Sequence, residues 1–196
     1  MKTFLIGIAG GTGAGKTTFA KALLDAFGEV AVLLAHDEYY RDLGDLSSEA
    51  RVKINFDSPE SLETELLVEH LDQLKAGQTV SVPVYDFGTH TRTVGEERQV
   101  LPAAVVLVEG ILLLSDPELC ERFDLRVFVE ADADERILRR IRRDVDERGR
   151  TVQSVIDQYR DTVKPMHDLY VEPSRKRAGL VVNGRRDVSK AVDVVQ

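Results

Sequence analysis

The feature that most limits what this chain can fold into is the octapeptide Gly10-Gly-Thr-Gly-Ala-Gly-Lys-Thr17. It satisfies G-x-x-x-x-G-K-[ST]. Glycines at this density let the backbone curl until successive N–H groups converge on phosphate oxygens. The helix expected next aims its positive end at the same point. Lys16 then reaches the β and γ oxygens of a nucleoside triphosphate, and the Thr17 hydroxyl can ligate Mg²⁺. The motif needs a strand before it and a helix after it. Both are expected, since Phe4–Ala9 is apolar apart from Gly7 and Lys16–Phe27 has helical patterning. Gly10, Gly11, Thr12, Gly13, Ala14, Gly15, Lys16, Thr17 and Thr18 are therefore candidate nucleotide-binding residues. The plainer alternative is a glycine-rich turn carrying a solvated lysine.

The remaining apolar runs supply the sheet that such a loop requires. Val30–Ala35, Val105–Val108, Leu125–Val129 and Leu180–Val182 are short and nearly uniformly apolar, and helical stretches separate them. That alternation predicts an α/β fold with a doubly wound parallel sheet buried on both faces. A helix is expected over Pro59–Ala76, with Leu62, Leu66, Leu67, Leu71 and Leu74 on one face, Ser58 as its cap and Gly77 at its exit. A second is expected from Asp134 to Glu147, with Ile137, Leu138, Ile141 and Val145 as its apolar positions. A third is expected from Thr151 to just before Pro165. Val80–Phe87 and Thr91–Val100 instead alternate like strands around expected turns at Gly88 and Gly95. The reading is one P-loop domain over residues 1–196, with a β-rich excursion over 79–100 and an arginine-rich helical segment over 132–150.

Composition narrows the partners. With 26 basic against 34 acidic residues, the net charge is −8. Broad binding to nucleic acid or to an anionic membrane is not expected of such a chain. Its one cysteine, Cys120, cannot form an internal disulfide. No apolar run approaches the roughly 20 residues of a membrane span, and the apolar stretch at the N-terminus is short for a signal peptide. A cytoplasmic location is the expectation.

Several residues then call for chemistry. Glu109 ends the strand Val105–Val108, at the edge where open α/β sheets place ligands. Asp37 lies just beyond the strand Val30–Ala35, where a carboxylate can accept a hydroxyl proton. A loop acid satisfying backbone amides is the alternative. Seven arginines crowd Asp132–Arg150, namely Arg136, Arg139, Arg140, Arg142, Arg143, Arg148 and Arg150. Arg136, Arg140 and Arg143 share one helical face. Guanidiniums suit phosphoryl oxygens whose charge is spread in the transition state, so the segment reads as a closing lid. The interleaved acids leave open a salt-bridged surface helix. Tyr85, Phe87, His90 and Arg92 fall within one loop, where rings could stack on a flat base or simply join the core.

Taken together, the chain resembles the uridine kinase (uridine–cytidine kinase) family from the P-loop to about Pro173. The resemblance rests on Gly10–Thr17, Asp37–Leu43, Ile54–Pro59, Pro83–Arg92 and Asp132–Arg150, with Val163–His167 and Tyr170–Pro173 as a sixth stretch. It implies ATP- or GTP-dependent phosphorylation of the 5′-hydroxyl of uridine or cytidine, with Mg²⁺. It assigns catalysis to Asp37 as base with Lys16 and Arg143. It assigns ribose recognition to Asp57, Arg140 and Gln158, and the pyrimidine frame to Tyr85 and His90. Arg143, Arg148 and Arg150 match lid arginines on phosphates and substrate, with Arg148 placed on the donor and Arg150 on the acceptor. Thr17, Glu109 and Asp37 match the metal site, and Asp187 a residue near the adenine. A homo-oligomer, often a tetramer, goes with the family. Glu38 departs from a common Ser and adds an acid beside Asp37; Ser58 and Leu62 depart from a common His and Phe. A phosphoribulokinase-like or pantothenate kinase-like enzyme, or a nucleotide switch without enzymatic activity, are the rival readings.

Overall fold

The computed structural model describes residues 3–184 and 189–195. Five strands form one parallel sheet: β1 (Phe4–Ala9), β2 (Ala31–Ala35), β5 (Val105–Glu109), β6 (Leu125–Glu130) and β7 (Leu180–Asn183). Their order across the sheet is β2-β5-β1-β6-β7. β1 therefore runs through the middle, and its residues from Leu5 to Ala9 are all buried. Helix α1 (Lys16–Phe27) covers one face, where Phe19, Ala20 and Leu23 pack with Ile6, Ile8, Leu107 and Val127. Helix α3 (Thr64–Lys75) covers the other through Leu67, Leu71 and Leu74. Burial on both faces explains why these strands read as unbroken apolar runs.

Register decides what meets at the sheet's carboxyl edge. Glu109 pairs with Ile8 on one side and with Ala35 on the other. The exits of β1, β5 and β2 therefore lie side by side. They carry the P-loop, Glu109 and the Asp37 turn respectively. This is the crevice at the strand ends where ligands bind in open α/β sheets.

Four local expectations need correction. Val30 is half exposed and belongs to a 3₁₀ turn, so β2 begins one residue later. The helix expected from Pro59 to Ala76 is broken. Pro59–Ser61 forms a 3₁₀ turn, Leu62 is extended (φ −104°, ψ 143°) and bridges to Tyr40, and α3 starts only at Thr64. The Ser58 hydroxyl bonds Glu60 and does not cap α3. Burying Leu62 to 2% exposure is worth about 2 kcal/mol, which exceeds the propensity gained by adding one residue to a helix.

The third correction concerns the helix beginning with α6 (Val152–Gln158). It does not stop before Pro165 but continues as alternating π and α turns to a 3₁₀ turn ending at Arg177. Prolines disrupt the α ladder through their missing N–H, and here π turns precede both Pro165 and Pro173, shifting the bonding to longer rings. Fourth, β3 (Val80–Asp86) and β4 (Thr91–Val100) form a separate antiparallel hairpin, but Gly95 is no turn. It lies inside β4 with φ +77°. The register slips there, from Pro83 opposite Glu97 to Tyr85 opposite Arg92. The positive φ supplies the bulge.

Candidate active site

The P-loop leaves β1 at Ala9. Gly10, Gly13 and Gly15 take φ of +145°, +74° and +100°. Space is as binding as conformation. A Cβ on Gly10 would lie 2.2 Å from the Val129 carbonyl oxygen, and one on Gly13 would lie 2.2 Å from that of Arg136. Ala14 N donates to Gly11 O at 3.0 Å and closes the turn. Lys16 is buried, with Nζ donating to Gly11 O at 3.3 Å. Burial lowers its pKa, while Glu109 and Asp37 act in opposition. Thr17 and Thr18 are exposed in the first turn of α1. The Thr17 hydroxyl donates to Glu109 Oε1 at 2.9 Å.

Asp37 lies in the 3₁₀ turn His36–Tyr39 that follows β2. Burial, reinforced by the Glu109 carboxylate, raises its pKa from 3.8 to about 6, against the pull of Lys16 and Arg148. Glu38 points elsewhere. Its carboxylate accepts from Ala35 N at 3.0 Å and from Arg98 of β4 at 2.8 Å, which turns it toward the hairpin. Glu38 is thus a strut between β4 and the Asp37 turn.

The magnesium expected from the sequence fits this donor set. Thr17, Glu109 and Asp37 offer hard oxygens, and the Glu109 carboxylate adds to the cost of ionising Asp37 where a cation would lower it. Among the described residues no three His, Cys, Asp or Glu side chains form a metal cage. Mg²⁺ ordinarily needs none, taking one or two carboxylates plus phosphate oxygens and water.

On the acceptor side, Asp57 is half-buried and its pKa is raised by burial, with Arg140 and a contact from Thr162 Oγ1 (3.5 Å) favouring its charged form. It shares the wall of a small cavity with Thr12, Ile111 and His167. An aromatic nest adjoins it. Tyr85 of β3 packs on Tyr40 and Phe87, Tyr40 packs on Phe56, and Phe56 stacks on His90 at 4.8 Å with planes 17° apart. The Tyr85 hydroxyl is buried without a hydrogen-bond partner among the described residues. Burial lowers the His90 pKa, and Arg150 acts in the same direction. A neutral imidazole at the hairpin tip (φ +56°) can donate or accept.

Helix α5 (Ala133–Asp146), in the segment expected to act as a lid, is inverted relative to its apolar pattern. Arg136, Arg140 and Asp144 form the buried face, whereas Ile137, Ile141 and Val145 are half-buried and Leu138 is 62% exposed. The cations go inward because the P-loop's Thr12 and the helix beginning with α6 offer them acceptors. Arg140 Nη1 donates to Thr12 Oγ1 at 3.0 Å and its Nη2 donates to Gln158 Oε1 at 2.9 Å. Arg150 donates to the same Gln158 oxygen. Arg136 Nη2 lies 3.1 Å from His167 Nε2. A guanidinium can only donate, so this contact puts the neutral imidazole's proton on Nδ1. Arg143 and Arg148 reach Asp144, which has no exposed surface.

The sequence assigns no role to Asp144 or His167. Asp144 is one of the acids interleaved with the arginines of this helix. Its spacing of four residues from both Arg140 and Arg148 was the available signal. Nothing in the local pattern of His167 pointed to Arg136. Asp187 lies outside the described residues.

Comparison with known proteins places this site in context. The family model described as "Phosphoribulokinase / Uridine kinase family" matches residues 5–191. A protein named uridine kinase from Bacillus cereus (strain AH187) is 48% identical over 195 residues, covering 99% of this chain and 92% of that protein. Among solved structures, phosphoribulokinase from Rhodobacter spheroides superposes with a TM-score of 0.65 at 16% identity, over 94% of this chain and 73% of the other. D-glycerate 3-kinase from Cryptococcus neoformans gives 0.65 at 16% identity, over 96% and 88%. These two structures share the fold.

Proposed function

Since the chain belongs to the phosphoribulokinase/uridine kinase family, we propose that it is a nucleoside kinase that transfers the γ-phosphate of ATP or GTP to the 5′-hydroxyl of uridine or cytidine. The observation that carries this reading is Asp37, a half-buried carboxyl whose pKa is raised to about 6 among Lys16, Glu109 and Arg148. A base poised near the working pH combines the correct protonation state with useful basicity. The P-loop amides, Lys16 and the positive end of α1 hold the triphosphate. Thr17, Glu109 and Asp37 would hold Mg²⁺, which neutralises charge on the transferring phosphoryl group when bound.

Asp37 orients the 5′-hydroxyl and takes its proton as the oxygen attacks the γ-phosphorus in line. The new O–P bond forms as the bond to the β–γ bridging oxygen breaks, and the nucleoside diphosphate leaves. Arg143 and Arg148 face the oxygens on which charge gathers. Asp57 and Arg140 offer a carboxylate and a guanidinium to the ribose diol, with Gln158 beside them. Tyr85, Phe56 and His90 supply flat surfaces and a hydrogen-bonding edge for the base. That aromatic nest favours a nucleoside over the sugar phosphate of a phosphoribulokinase, which presents no base to stack.

The test is turnover of a nucleoside panel with ATP and Mg²⁺. Uridine and cytidine are the expected substrates, and preference for purine nucleosides or deoxynucleosides would refute the assignment. Asp57→Asn should lower discrimination against 2′-deoxyuridine by at least about tenfold, because a buried hydrogen-bonding group penalises a substrate that lacks its partner. The homo-oligomeric state expected of the family is open to light scattering.

A further inference from the structure

The most enclosed polar group of the lid is an acid surrounded by cations. Both Arg143 Nε and Nη2 lie on Asp144 Oδ1, at 2.9 and 2.8 Å. Arg148 Nη1 is 3.4 Å from the same oxygen. Arg140 Nε and Arg150 Nη1 stand 3.6 and 3.7 Å from Oδ2, which has no hydrogen-bond partner among the described residues. Four permanent cations thus converge on one carboxylate and remain under-neutralised by it. They also divide by location. Arg140 and Arg150 meet at Gln158, and Arg140 faces Asp57. Arg143 acts on Lys16, and Arg148 on Asp37.

We propose that Asp144 is a positioning residue that couples the two halves of the site, holding acceptor-side Arg140 and Arg150 and donor-side Arg143 and Arg148 in one constellation. The inference rests on the nucleoside kinase reading. Without a resident anion, four guanidiniums this close would splay apart. With it, they stand near their working positions. The long contacts of Arg140, Arg148 and Arg150 leave donors directed elsewhere, while the excess positive charge attracts a polyphosphate. Ordering by one ligand then prepares the site for the other. Linkage requires the effect to be reciprocal, so nucleoside must tighten nucleotide as much as nucleotide tightens nucleoside.

The experiment compares the full-length protein with Asp144→Asn and Asp144→Glu. It measures binding of a non-hydrolysable ATP analogue with and without saturating uridine, together with kcat and both KM values. In the wild type, uridine should tighten the analogue at least about fivefold, the lower end of ordinary coupling. Asp144→Asn should bring that factor near one and lower kcat at least about tenfold, while analogue binding alone changes less than about threefold. Retention of coupling and kcat in Asp144→Asn would overturn the proposal. Should that variant not fold, Asp144→Glu keeps the charge but displaces it by a methylene. Native melting with coupling reduced is the expected result, and wild-type coupling would refute the idea. A wild type that phosphorylates no nucleoside would remove the parent reading, and this one with it. A wild type that turns over uridine without any coupling removes this one alone.

Discussion

Replacing Asp37 by Asn should stabilise the protein while disabling it. In the folded chain burial and Glu109 raise the Asp37 pKa from 3.8 to about 6. Ionising it at neutral pH therefore opposes folding by about 3 kcal/mol, at about 1.4 kcal/mol per pKa unit. Asp37 is not fully enclosed, so that figure is a ceiling, and a gain of about 1–3 kcal/mol is expected. The sign follows from proton counting. Between pH 3.8 and about 6 the folded state holds this proton more tightly than the unfolded chain does. The penalty is thus complete above about pH 6 and is relieved as pH falls toward 3.8. The assay is thermal unfolding of wild type and Asp37→Asn in chelator across pH 4 to 8. The variant should melt higher at pH 7 to 8, and the gap should close by about pH 4. Turnover with ATP, Mg²⁺ and uridine should fall by at least about 10², with nucleotide affinity largely kept. A variant that melts lower at pH 8, or a gap that does not depend on pH, would refute the burial argument. Undiminished turnover would remove Asp37 as the base.

Other perturbations probe neighbouring elements. Gly13→Ala places a Cβ against the Arg136 carbonyl at a positive φ, and neither backbone can yield cheaply; calorimetry should register a loss of about 2–4 kcal/mol. Burial lowers the His36 pKa to about 3, so the unfolded chain takes this proton first as pH falls below 6.5. Stability carried by neutral His36 should drain between pH 6.5 and 3, by up to about 5 kcal/mol, and His36→Asn should flatten that acid limb in denaturant titrations. Glu38→Ser removes a partly exposed ion pair with Arg98; less than about 1 kcal/mol of stability should go. Because the pair ties the hairpin to the Asp37 turn, the nucleoside KM should rise more than the nucleotide KM in steady-state kinetics.

Much of this molecule was legible because the signals are local. The spacing of Gly10–Thr17 dictates a curled loop between strand and helix. Uniform apolar runs mark strands buried on both faces, and so the parallel sheet could be expected from their alternation. Asp37 and Glu109 could be singled out because each follows such a run. The order of the strands was not legible, although it is the order β2-β5-β1 that sets the two acids beside the P-loop. Order is a matter of contacts between distant segments, and no local spacing encodes it.

Helix α5 makes the same point from the other side. By pattern, α5 should bury Ile137, Leu138 and Ile141, yet it buries Arg136, Arg140 and Asp144. A helix presents to its neighbour whatever that neighbour can satisfy, and here the neighbour offers the Thr12 hydroxyl, His167 and Gln158. Leu62 likewise leaves a helical pattern because Tyr40 provides a bridge to it. By itself the sequence determined the phosphate-binding loop and the layered α/β class, which follow from backbone geometry and periodicity. Only the tertiary structure decided which charges are enclosed and what faces them, because the cost of burying a charge depends on the partners the rest of the fold brings to it.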